Sequence, residues 1–198
     1  LVAEGLAPWI TPTADFYRID IAATIPSLAT DTWRLSVDGL VGTPLTLTHN
    51  DLTGMRLVEV DATLSCVSNP IGGHEIGTAR WVGVRLADVL ALADVNPSAE
   101  QVFSYGADGF TAGFPIQEAA GAGALVALGM NGEPLTEVHG APARLVVPGL
   151  YGYVSATKWL ERIELATWQD RSGYWMPRGW SRLGPVKTAA RIDIPRQG

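Results

Sequence analysis

The sequence predicts an α+β domain built mostly on antiparallel strands, as a sheet or a barrel, with few helices. Three observations predict it. Glycine and proline are plentiful, 22 and 13 of 198 residues, which implies many turns. Runs with apolar residues at alternate positions outnumber runs with helical spacing. The two kinds of run follow one another in mixed order, not in the strict alternation of a parallel α/β fold. At 47% hydrophobic and 17% charged, the chain has apolar material for a sizeable core. It divides into an N-terminal arm, residues 1–14, and one domain, residues 15–198.

The arm carries Gly5, Pro8 and Pro12 and has no periodicity. Residues 33–41 alternate, with Trp33, Leu35 and Val37 on one face and Arg34, Ser36 and Asp38 on the other, as in a half-buried strand. Residues 48–52 suit a short capped helical turn. From Val58 the apolar residues fall on even positions, Val58, Val60, Ala62 and Leu64, and Cys66 shares their parity. Leu86, Val89, Leu90 and Ala93 form one stripe of a helix over residues 85–93. Residues 102–114 read as a hairpin turning at Asp108-Gly109, and Asn131-Gly132 joins a second one. Residues 143–147 and 158–165 are further strands, the latter imperfectly periodic. The tail from Gly173 is rich in Pro and Gly and has no clear period.

A net charge of −6 argues against nucleic acid as a partner, because phosphate backbones need clustered Lys and Arg. One cysteine allows no internal disulfide and no multi-cysteine zinc site. No apolar run approaches the roughly 20 residues of a membrane span. Neither a P-loop, a Rossmann fingerprint nor a Gly-x-Ser-x-Gly elbow is present. The chain starts at Leu1, as a processed or truncated product would.

Chemistry-bearing residues are few. Cys66 ends a strand-like run and opens the Gly-rich loop Val67-Ser68-Asn69-Pro70-Ile71-Gly72-Gly73. A lone thiol there is a small buried apolar group, a nucleophile or a soft metal ligand. Arg144 opens an apolar strand just after the turn His139-Gly140-Ala141-Pro142, so it either caps the strand toward water or pairs with an anion such as phosphate. Arg18 stands among apolar neighbours, with Asp15 and Asp20 as local partners. Lys158, between Thr157 and Trp159, either snorkels from a strand or closes an anion site.

In this order, the pieces resemble the molybdenum-cofactor domain of the sulfite oxidase family. The resemblance runs from about Phe16 to about Asp193. It is carried by Phe16-Tyr17-Arg18, by Thr63-Leu64-Ser65-Cys66 and by the long match from Ile76 through Arg80-Trp81 to Leu90. Met130-Asn131-Gly132-Glu133-Pro134-Leu135, His139-Gly140, Arg144, Val147-Pro148-Gly149 and Lys158-Trp159-Leu160 complete it. The tail, Tyr174-Trp175-Met176-Pro177-Arg178-Gly179-Trp180 with Lys187-Thr188, is most similar to a bacterial, membrane-associated branch. The resemblance implies a molybdopterin cofactor with molybdenum and an oxidoreductase that transfers an oxygen atom or two electrons. Cys66 would give its thiolate to the metal. Arg18, His139, Arg144 and Lys158 would hold the pterin and its phosphate, and Ser65, Val67 and Ser68 would border it. Tyr174 would lie near the open face of the metal.

The sulfite oxidases that define the family follow this cysteine with Ala-Gly-Asn-Arg-Arg, whose arginine helps to hold an anionic substrate. Val67-Ser68-Asn69-Pro70-Ile71 carries no cation, so a small molecule other than sulfite is the expected substrate. The resemblance also implies a location outside the cytoplasm, a membrane anchor in segments beyond this soluble fragment, and a redox partner or membrane-anchored electron acceptor. Two rival readings are a non-catalytic assembly module of the same fold and a thiol or serine hydrolase.

Overall fold

The computed structural model describes residues 7–121 and 123–190. The first six residues of the predicted arm, with Gly5, and the last eight of the predicted domain, with Asp193, lie outside the described residues. Among the described residues ten strands form two open five-stranded sheets, not a closed barrel.

The first sheet has the order β2-β1-β10-β5-β6. In β1 (Arg34–Gly39), Leu35 and Val37 are fully buried, as the alternation predicts. Its neighbour β2 (Leu45–Thr48) runs into α1 (His49–Gly54), which starts with a reciprocal capping box between Thr48 and Asp51. The hairpin of β5 (Gln101–Gly106) and β6 (Thr111–Pro115) turns where Asp108-Gly109 predicts. At the centre lies β10 (Leu160–Ala166), parallel to β1 and antiparallel to β5. A register shift between Leu160 and Arg162 explains its imperfect period.

The second sheet has the order β3-β4-β7-β8, with β9 also on β7. Strand β3 (Leu57–Ser65) stops one residue short of Cys66. Strand β4 (Ile76–Arg85) follows the Gly-rich loop, and α2 (Leu86–Leu92) buries the predicted stripe. The helix α3 (Ile116–Ala119) precedes β7 (Leu125–Met130), which is buried throughout. Along the far edge of β7 lie β8 (Glu133–Pro134) at one end and β9 (Arg144–Val146) at the other.

The chain then passes from one sheet to the other through α4 (Gly152–Ser155). Leu145 N donates to Thr157 O at 2.9 Å and Leu160 N to Ala143 O at 2.9 Å, so this crossover is bonded to itself and to the start of β10. Two apolar clusters fill the interior. The larger lies around Leu35, Val89, Phe114, Leu145 and Ile163, and the smaller around Phe16, Leu64, Trp81 and Met130. Gly77 belongs to the second, because a Cβ there would stand 2.7 Å from the Phe16 ring. Among the described residues no helix is long and apolar enough to cross a membrane.

Candidate functional site

The residues with chemistry to offer meet at the junction of the two sheets. A cavity of about 300 Å³ opens there, lined by Cys66 from the end of β3 and by His139, Arg144 and Lys158 from the crossover. That volume is at the small end of the range of ligand pockets, about 300–1,000 Å³.

Arg144 is buried, with 5% exposure, at the first position of β9. Its guanidinium reaches backbone carbonyls only, His139 O at 3.2 Å, Ala156 O at 3.4 Å and Leu145 O at 3.4 Å. Its other support is the Trp81 ring, 5.1 Å away. Burial lowers its pKa to about 10, so it carries its charge at neutral pH. Those bonds are long, and no carboxylate balances the cation among the described residues. A buried charge in this state is costly unless a ligand completes it.

Lys158 reaches the cavity from the residue pair before β10. Its ammonium donates to Asp20 at 2.8 Å and to Val138 O at 3.3 Å, and burial lowers its pKa to about 8. Gly140, at φ 101, makes this approach possible, because a Cβ there would lie 2.9 Å from Lys158 Cβ. His139 is buried and edge-on to Phe16. Its Nε2 lies 3.1 Å from Thr13 O, a carbonyl, so that nitrogen carries the proton and donates. Burial lowers the His139 pKa, which keeps the ring neutral.

Cys66 is half-buried, one residue beyond the strand. Its loop is clasped at the base: Cys66 N donates to Glu75 O at 2.9 Å, and Glu75 N to Asn69 Oδ1 at 2.8 Å. Burial pushes the thiol pKa up; hydrogen bonds from the Ser68 backbone and hydroxyl oppose this without outweighing it. Val67 and Ser68 line the cavity beside the sulfur. Ser65 does not. It is buried, and its hydroxyl turns to Cys66 O at 3.3 Å.

Arg18 and Tyr174 are not brought into the cavity lining. Arg18 is 41% exposed and pairs with Asp20 at 2.7 Å, the local partner available to it in the sequence. Its neighbours Tyr17, Ile19 and Asp20 line the cavity instead, and the Tyr17 ring stacks on Phe16 at 5.3 Å. Tyr174 packs on Phe110 and Trp175 and under the Arg178 guanidinium, 3.7 Å from its ring. Trp175 and Trp180 line the cavity from the tail.

Sequence reasoning gave no site role to five titratable residues that line the cavity, Tyr17, Asp20, Glu75, Asp108 and Tyr153. Burial raises the Tyr17 hydroxyl well above its usual range. Burial alone would raise the Asp20 carboxyl, but hydrogen bonds from Arg18 and Lys158 outweigh it and hold the group below its ordinary value. Burial raises Asp108. The partner of Arg18 was the one readable signal, since Asp20 sits two residues away.

The chain is similar to known proteins along most of its length. A family model described as the oxidoreductase molybdopterin binding domain matches residues 22–175. Mitochondrial sulfite oxidase of Macaca fascicularis is 34% identical over 94% of this chain, which spans 38% of that protein. The uncharacterized oxidoreductase YuiH of Bacillus subtilis is 34% identical over 77% of this chain and 74% of its own length. Among solved structures, the sulfane dehydrogenase SoxCD of Paracoccus pantotrophus superposes with a TM-score of 0.74. It has 30% identity, and the match covers 81% of this chain and 44% of that one.

Proposed function

The chain belongs to the molybdopterin-binding oxidoreductase family that includes sulfite oxidase, and from that premise we propose that its cavity holds the molybdenum cofactor through Cys66, Arg144 and Lys158. One observation carries the assignment. Arg144 is a buried cation with no carboxylate partner, in the same cavity as the lone thiol. A phosphate-bearing cofactor answers the first feature and a soft metal the second.

When bound, the cofactor supplies oxygen-atom or two-electron chemistry at molybdenum. The protein places and tunes it. Arg144 would offer a guanidinium fork to the phosphate, and Lys158, paired with Asp20 at 2.8 Å, would add a second positive charge. His139, held neutral on Thr13 O, lines the cavity and would border the pterin. Cys66 would give its thiolate to the metal, and the Ser68 amide and hydroxyl, which bond the sulfur here, would tune the metal's potential.

The Val67–Ile71 loop brings no cation to the sulfur, which supports a substrate other than sulfite. We place the catalytic unit at residues 15–198 behind an arm of residues 1–14. The likeness of the tail supports an extracytoplasmic protein of the bacterial membrane-associated branch that passes electrons to a redox partner or a membrane-anchored acceptor.

Two variants test the assignment. Cys66→Ser keeps size and fold and should abolish turnover with an unchanged melting temperature; full activity would remove the thiol from the metal. Arg144→Ala should lower molybdenum and pterin per chain about tenfold or more, since a buried phosphate loses a charge-assisted partner. Metal analysis and the fluorescence of oxidised pterin released on denaturation read that outcome, and wild-type content would refute the phosphate role.

A further inference from the structure

Charge is distributed unevenly along this chain. Residues 171–192 hold five Lys and Arg and no Asp or Glu, although the whole chain carries 20 acids against 14 bases. Among the described cations of this run, Arg171 is taken by Glu164 at 2.7 Å. Arg178 lies on the Tyr174 ring and Arg182 on the Trp168 ring, and neither they nor Lys187 meet a carboxylate among the described residues. All three are exposed. Between Arg182 and Lys187 stand Leu183, 55% exposed, and Val186, 38% exposed. The backbone beneath them is fixed. Trp180 packs on the Tyr153 ring at 5.1 Å, and Gly184 is buried against the same ring, where a Cβ would stand 3.0 Å away. Tyr151 N donates to Gly184 O at 2.7 Å and Val186 N to Gly149 O at 2.8 Å.

We propose that residues 178–187 are a docking surface for an anionic lipid bilayer. Arg178, Arg182 and Lys187 meet the headgroups, and Leu183 and Val186 enter the boundary beneath them. Exposed cations interleaved with apolar side chains suit a membrane interface, which rewards both. A nucleic acid would use the cations and leave the aliphatic side chains in water. An apolar groove on another protein would use the aliphatic side chains and leave the cations unpaired. The acids elsewhere in the chain do not cancel the attraction, because charges more than about 8 Å from the bilayer are screened at physiological salt. Trp175 and Trp180 line the cavity from the same tail, so docking turns that wall of the cavity toward the bilayer.

The test is flotation with vesicles at pH 7, using the full chain isolated from a host that makes the cofactor. Vesicles of equal parts phosphatidylglycerol and phosphatidylcholine should carry the wild type at about 0.1 M salt and release it at about 1 M. Pure phosphatidylcholine vesicles should bind it about tenfold or more weakly. Arg182→Gln combined with Lys187→Gln should weaken binding to the anionic vesicles about twentyfold at an unchanged melting temperature, at about fivefold per cation. Equal binding to the two kinds of vesicle overturns the proposal, as does failure of the wild type to float with either, whatever the variant does. So does a double variant that folds and floats like the wild type. Capture by soluble polyglutamate without flotation assigns the surface to an acidic protein and likewise overturns it. None of these outcomes depends on molybdenum, so the metal content of the same sample judges the cofactor assignment separately.

Discussion

The two ends of the cavity are built in opposite ways. The cationic end is core: His139, Arg144 and Lys158 are all under 10% exposed, on a crossover bonded into both sheets. The thiol end is a loop whose Val67 is 37% exposed and whose Ile71 is fully exposed, held by a few local hydrogen bonds. On the proposed function, holding a cofactor and choosing a substrate would fall to different kinds of structure. The first cannot change without disturbing the interior. The second varies at little cost in stability, as scaffolded loops do.

The largest effect expected from this contrast is at Asp20. Asp20→Asn leaves the Lys158 ammonium buried without a counter-charge and should cost about 3 kcal/mol, the lower end for a broken buried pair. Urea denaturation of the cofactor-free protein measures it. A loss under about 1 kcal/mol would break the claim that this end belongs to the core.

A smaller effect follows from Lys158 itself. Its folded pKa is about 8, below the ordinary 10.5. Below pH 8 both folded and unfolded states hold the proton, and the folded state bears the full cost of burying it. Between 8 and 10.5 the folded state has released the proton and the unfolded state has not, so this group makes stability rise with pH. Denaturation curves of wild type and Lys158→Met across that window should diverge in slope, the variant lacking the rise. Parallel slopes would mean that the ammonium is solvated. The smallest effect is at the loop tip: Ile71→Ser should shift stability by no more than about 0.5 kcal/mol, and a larger fall in the melting temperature would reveal packing at the tip.

The sequence made the scaffold more legible than the site. Alternation gave β1, Asp108-Gly109 and Asn131-Gly132 gave the hairpins, and one stripe gave α2, because each depends on neighbours along the chain. Strand β4 was read only as part of a family motif. Its inward positions Gly77, Ala79 and Gly83 are too small to register as an apolar alternation, and only Trp81 is bulky. In the site, Cys66, Arg144 and Lys158 stood out as residues of the wrong character for their surroundings. Glu75, Tyr17 and Asp108 did not, because their meaning comes from three segments converging in space. The tail showed no period because ring packing on Tyr153, with backbone bonds from Tyr151 to Gly184, holds it in place, not a repeating element.

The parallel pairing of β1 with β10 also bears on how the molecule is made. Asp38 and Arg162, paired across that seam, are 124 residues apart in the chain. The first sheet therefore has no centre until β10 has been made, and contacts of such long range form slowly. Lys158 stands just ahead of the strand that completes it. The cavity wall that Lys158 contributes is therefore complete only once β10 has docked on β1.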